Sequence, residues 1–132
     1  MSGGRSQHLL VVDDDPDIRQ ILQDRLESYG YLVDTAADGP TALEKLNRLT
    51  PHGVFLDIRM PGMDGIEVLR RIKARDCSTV VIIVTAVSDE DAARSPTGKA
   101  AHAYLLKPFD LPNIKHIVEQ CLGRRTGSES VP

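Results

Sequence analysis

The stretch HLLVVDDDPDIRQIL, residues 8–22, decides the fold. Residues 9–12 form a short apolar run that stops abruptly in three aspartates, as a strand buried on both faces of a sheet does. A helix follows at once. Asp15 suits its N-cap, Pro16 suits its first position, and Ile18, Ile21, Leu22, Leu26 and Tyr29 recur at helical spacing before Gly30 ends it. The three acids stand side by side, and like charges repel, so this strand end needs either solvent or a counter-charge.

Outward from this unit, the same alternation repeats along the chain. YLVDTAA reads as a second strand, and DGPTALEKLNRL as a helix starting at Gly39-Pro40 with Ala42, Leu43, Leu46 and Leu49 on one face. GVFLDI is a third apolar run, again closed by an aspartate, Asp57, and the loop RMPGMDG after it is punctuated by Pro and Gly. Asp64-Gly65 reads as a turn and cap before a helix marked by Ile66, Leu69 and Ile72. TVVIIVTA, the most β-branched segment, reads as a central strand with Thr85 at its C-terminal end, and AYLLKPF as a short fifth strand running into Lys107-Pro108. Asp110 caps the last helix, which carries Ile114, Ile117, Val118, Cys121 and Leu122. Five such alternations predict an α/β fold with a five-stranded parallel sheet and helices on both faces. One segment resists. A fourth helix is due between Thr85 and Tyr104, yet Pro96 and Gly98 interrupt it, at roughly 3 and about 1 kcal/mol relative to Ala. That helix is expected to be short or irregular.

Composition narrows the function. With 132 residues and 41% apolar content there is material for one domain and one core. The net charge of −3, with Lys and Arg scattered, gives no stripe able to neutralise a phosphate backbone, so direct nucleic-acid binding is not expected. Cys77 and Cys121 lack any metal or redox spacing and point to a reducing, cytoplasmic compartment. No apolar run approaches membrane-spanning length, so no membrane partner is expected. His8, His52, His102 and His116 share no ligand spacing.

In an open parallel sheet, ligands bind beyond the carboxyl ends of the strands. Four of the five runs end there in a chemically useful side chain: Asp13 and Asp14, then Asp57, Thr85 and Lys107. Clustered carboxylates without His or Cys select a hard divalent cation, Mg²⁺ by default. A lysine and a hydroxyl opposite them complete a site for a phosphoryl group. No Gly-rich loop follows the first strand, which argues against a nucleotide cradle. Asp15 is assigned to capping.

The motifs VVDDDPDIR, LDIRMPGMDG, VIIVTA and YLLKPF stand in this order, and together with their spacing they account for nearly the whole chain from His8 to Gly123. On them the chain resembles the receiver domain of bacterial two-component response regulators, of the chemotaxis-regulator-like kind. The resemblance implies a flavodoxin-like (βα)5 three-layer sandwich with strand order 2-1-3-4-5. It also implies a phosphorylation-dependent signalling switch. Asp57 would be the phosphoacceptor, taking a phosphoryl group from a phosphohistidine, and Asp13, Asp14, Asp57 and the backbone carbonyl of Arg59 would hold Mg²⁺. Lys107 would pair with the phosphoryl oxygens. Thr85 would turn inward to the phosphate, Ala86 would donate its backbone N–H, and Tyr104 would follow Thr85 as the readout. The Lys107-Pro108 bond is expected to be cis. Arg59 and Val87 would flank the pocket and slow the approach of water to the phosphoryl group.

The implied partners are a sensor histidine kinase or histidine phosphotransfer domain, and an output domain or target protein, with the chain a monomer or a phosphorylation-dependent dimer. It would be no enzyme beyond self-phosphorylation from small donors and slow self-dephosphorylation. Residues 8–123 would form the receiver, with a disordered leader at 1–7 and a flexible tail at 124–132, either as a stand-alone regulator or as part of a longer protein. Two alternatives are an unphosphorylated interaction module and an aspartyl-phosphate hydrolase. The hydrolase needs an acid two residues after its nucleophile, where Arg59 stands, and the module has no use for the full set of five polar residues. Without metal the carboxylates should repel, so Asp14→Ala is expected to stabilise the metal-free protein.

Overall fold

Strand follows helix from the first described element to the last in a computed structural model that describes residues 7–60, 64–86 and 101–122. The order is β1 (His8–Val12), α1 (Pro16–Ser28), β2 (Leu32–Ala36), α2 (Gly39–Leu46), β3 (Gly53–Asp57), α3 (Gly65–Arg75), β4 (Val80–Ala86), β5 (Ala103–Lys107) and α4 (Leu111–Cys121). The five strands form one sheet, ordered β2-β1-β3-β4-β5, and every pair is parallel. Both match the expectation. The irregular helix expected before β5, Val87, the tail from Gly123 onward and all but Gln7 of the leader lie outside the described residues, as does part of the loop after Asp57.

Side chains of a strand alternate between faces, and this period of two splits the core in half. Leu10, Val12, Val54, Leu56, Val81 and Ile83 pack under α2 and α3, against Ala42, Leu46, Val68, Leu69 and Ile72. Leu9, Val11, Phe55, Ile82, Val84 and Leu105 pack under α1 and α4, against Leu22, Leu26, Ile114, Ile117 and Val118. Helices therefore cover both faces. Only a continuous apolar run can serve two cores at once, which is why β1, β3 and β4 each carry at least three consecutive large apolar residues.

The helical periodicity needs two adjustments. Periodicity groups Ile21 with the buried stripe of α1, but it is 44% exposed, whereas Leu22 and Leu26 are fully buried. Each residue turns the helix by about 100°, so a position adjacent to Leu22 is swung off the stripe. Leu49, assigned to the apolar face of α2, lies three residues past that helix's end and is only partly buried.

All four described helices start with an aspartate. Asp15, Asp38, Asp64 and Asp110 accept from the backbone N–H of Asp17, Thr41, Ile66 and Asn113, respectively. Each satisfies a donor the helix cannot pair internally. Parallel strands end where the next helices begin, so capping acids and functional acids crowd the same edge of the sheet. The capping bonds tell the two sorts apart.

Candidate functional site

The edge beyond the strand ends gathers residues from β1, β3 and β5. Asp13 follows β1 and is 1% exposed, and Asp57 closes β3 and is 4% exposed. Asp14 is exposed. One carboxylate oxygen from each of the three lies within 4.8 Å of the others. Lys107, at the end of β5, reaches across to Asp13 Oδ2 at 3.1 Å and to Asp57 Oδ2 at 3.6 Å. The Lys107-Pro108 bond is cis.

Hydrogen bonds orient the acids. Asp13 Oδ1 accepts from the Asp15 N–H at 2.9 Å, and Asp57 Oδ1 accepts from the Arg59 N–H at 3.1 Å. Each carboxylate thus has one oxygen tied to its own turn and the other turned into the cluster. Asp13 Oδ2 is buried with no well-aligned hydrogen bond, so the Lys107 ammonium serves it as a charge neighbour and leaves lone pairs open. A buried anionic oxygen in this state is costly, and a cation would relieve it.

The electrostatics agree. Burial, then the Asp13 charge, push the Asp57 carboxyl up from 3.8 to about 7. Lys107 and the Arg59 N–H oppose the rise, and Asp14 adds the smallest upward push. Burial acts to lower the Lys107 ammonium, but the Asp13 and Asp57 carboxylates outweigh it and hold its pKa above the ordinary lysine value. An oxygen-only set of three acids, one of them strained toward neutrality, suits a hard cation such as Mg²⁺.

The other expected residues lie on β4, on β5 and in the turn after β3. Thr85 is buried at the end of β4, and its hydroxyl donates to the Ala86 carbonyl at 3.1 Å. Ala86 pairs in register with Lys107. Tyr104 pairs in register with Ile83 and is 40% exposed. Thr85 and Ile83 lie on one face of β4, so Thr85 and Tyr104 share that face of the sheet on neighbouring strands. Arg59 is exposed beside the cluster.

Two features went unread in the sequence. Arg19 sits inside the quoted VVDDDPDIR motif, and its guanidinium donates to the Asp13 carbonyl at 2.8 Å, pinning the turn that carries both acids. Its position one turn into α1 was the available signal. Lys107 stands nearer Asp13 than Asp57, and no local pattern in the sequence signals which acid it favours.

The sequence profile of the response regulator receiver domain family matches residues 9–119. The chain is 45% identical over 112 residues to the DNA-binding transcriptional regulator NtrC of Escherichia coli, a match covering 85% of this chain and 24% of that protein. The chain therefore spans about a quarter of the length of that relative. Sporulation initiation phosphotransferase F of Bacillus subtilis is 37% identical over 117 residues, with 89% of this chain and 94% of that protein covered. Among solved structures, the response regulator protein TrrA of Thermotoga maritima in complex with Mg²⁺-BeF superposes with a TM-score of 0.77 at 35% identity, covering 86% of this chain and 97% of that one.

Proposed function

Because the chain belongs to the response regulator receiver domain family, the phosphorylation-dependent switches of two-component signalling, we propose that Asp57 is its phosphoacceptor. The observation that carries this reading is the convergence of Asp13, Asp57 and Lys107, from three separate strand ends, on one buried acidic cluster. Receivers are regulatory rather than catalytic, and the chemistry asked of this one is a single transfer.

The donor would be a phosphohistidine of a sensor kinase or a histidine phosphotransfer domain. A carboxylate oxygen of Asp57 attacks phosphorus, the P–N bond breaks, and its electron pair returns to the imidazole, which takes up a proton. Mg²⁺, held by Asp13, Asp14, Asp57 and the Arg59 carbonyl, would supply charge neutralisation for the phosphoryl oxygens. Lys107 adds a point charge, freed from Asp57 as that side chain becomes an acyl phosphate. Thr85 exchanges its bond to the Ala86 carbonyl for one to a phosphoryl oxygen, and the Ala86 N–H donates to another. As Thr85 moves inward it vacates space on its sheet face, and Tyr104 turns in after it. The altered surface would then be read by an output domain or target protein, in the cytoplasm. Among the described residues no helix is long and apolar enough to cross a membrane.

Intact mass after incubation with Mg²⁺ and acetyl phosphate tests the assignment. One phosphoryl adduct is expected for the wild type, and none with a chelator or in Asp57→Asn. An adduct that survives Asp57→Asn would overturn it.

Metal binding should carry a proton signature. With the Asp57 carboxyl titrating at about 7, Mg²⁺ must displace a proton from it at lower pH. The Mg²⁺ dissociation constant should therefore rise about tenfold per pH unit below 7 and level off above pH 8. Calorimetric titrations in buffers of different ionisation enthalpy would count the proton. Equal affinities at pH 6 and pH 8 would refute the linkage.

A further inference from the structure

Gly65 opens α3 against the main chain that carries Asp57. Its N–H donates to the Ile58 carbonyl at 2.7 Å. A Cβ at this position would lie 2.3 Å from the Asp57 carbonyl oxygen, 2.5 Å from Ile58 Cα and 2.8 Å from the Ile58 carbonyl oxygen. All three are backbone atoms, with no rotamer by which to yield. Among the described glycines the positive φ belongs to Gly30, so position 65 needs the absence of a side chain and not a special backbone conformation.

Even a methyl group at 65 forces a displacement of about 1 Å to restore van der Waals contact. α3 resists moving, because Val68, Leu69 and Ile72 are buried in the core beneath it. The shift then falls on residues 57–59, the last residue of β3 and the two that follow it. Those residues hold the Asp57 carboxylate through the Arg59 N–H bond to Oδ1.

We propose that Gly65 is a positioning residue: by letting α3 seat directly on the Asp57–Ile58 main chain, it sets the Asp57 carboxylate in register with Asp13 and Lys107. The inference rests on Asp57 as the phosphoacceptor for its effect on transfer, but its effect on metal binding stands apart from that reading.

Three proteins test it: wild type, Gly65→Ala and Gly30→Ala. Gly30 has φ +100°, and a Cβ there meets nothing within 4 Å. Its substitution strains the backbone without pushing on a neighbour, which makes it the control for lost stability. In Gly65→Ala the Arg59 amide resonance of the metal-free protein should move, and the Mg²⁺ dissociation constant should rise about tenfold. The rate of adduct formation from acetyl phosphate should fall about 100-fold. Gly30→Ala should keep the wild-type value in all three. A merely structural glycine would leave both variants alike. If Gly65→Ala needs help to fold, trimethylamine N-oxide added equally to all three preserves the comparison. Wild-type Mg²⁺ affinity and wild-type rate in folded Gly65→Ala would overturn the inference, whatever the amide does. If the wild type itself takes no phosphoryl group on Asp57, the functional reading fails, and the Mg²⁺ affinities alone decide the role of Gly65.

Discussion

Asp57→Asn should make the metal-free protein more stable at pH 8, by on the order of 4 kcal/mol, from a carboxyl moved from 3.8 to about 7 at about 1.36 kcal/mol per unit. The sign follows from the direction of the shift. A group whose folded pKa is raised stabilises the fold below its unfolded value and loses that contribution as pH climbs through the folded one. The wild type in chelator should therefore weaken between pH 4 and pH 7, whereas the variant, which has no proton to lose there, escapes this loss. Asparagine keeps an oxygen for the Arg59 N–H, so the swap removes charge without removing the hydrogen bond. Saturating the wild type with Mg²⁺ to 100 times its dissociation constant should narrow the gap by about 2.7 kcal/mol. Denaturant titrations in chelator at pH 5 and pH 8 measure the effect. A variant less stable than the wild type at pH 8 would contradict it. Asp14→Ala acts in the same direction but less strongly, because Asp14 is exposed and contributes the smallest push on Asp57.

Lys107→Met should have the opposite sign. Removing the ammonium leaves Asp13 Oδ2 and Asp57 Oδ2 without the cation that stands 3.1 and 3.6 Å from them. Breaking a buried pair by deleting one partner costs about 3 kcal/mol, since the orphaned charge stays buried. The raised lysine pKa keeps this contribution intact at pH 8, because such a group loses its stabilising effect only as pH passes its folded value. At pH 5 the cost should shrink, as Asp57 takes up a proton and needs the cation less. Phosphorylation should fall by about 100-fold with the point charge gone from the phosphoryl oxygens. Chelator melts at both pH values and adduct rates separate the two effects. A variant as stable as the wild type at pH 8 would show that Lys107 does not offset the acids.

Strand positions and helix caps were legible because each is written in short-range pattern, whereas the strand order came only with the family resemblance. Unbroken apolar runs marked β1, β3 and β4, and Asp-Pro or Gly-Pro pairs marked the starts of α1 and α2. The acids of the site were legible for a related reason: charge at the end of a buried run has no core to enter, and it stands out. Ile21 was misplaced because periodicity counts apolar residues without weighing how far each lies from the centre of the buried stripe. Gly65 was read as turn and cap alone, since a missing side chain gives no hint of what backbone lies against it.

By itself the sequence determined that five alternating units would build a doubly covered parallel sheet, and that Asp13, Asp14, Asp57, Thr85 and Lys107 would share one edge of it. That much depends on local periodicity and on the handedness common to such crossovers. The tertiary structure alone decided which acids are buried, that Lys107 stands closer to Asp13 than to Asp57, that Arg19 pins the Asp13 carbonyl, and that α3 rests on the Asp57 main chain. These are distances between residues far apart in the chain, fixed by packing to fractions of an ångström, and no local pattern encodes them.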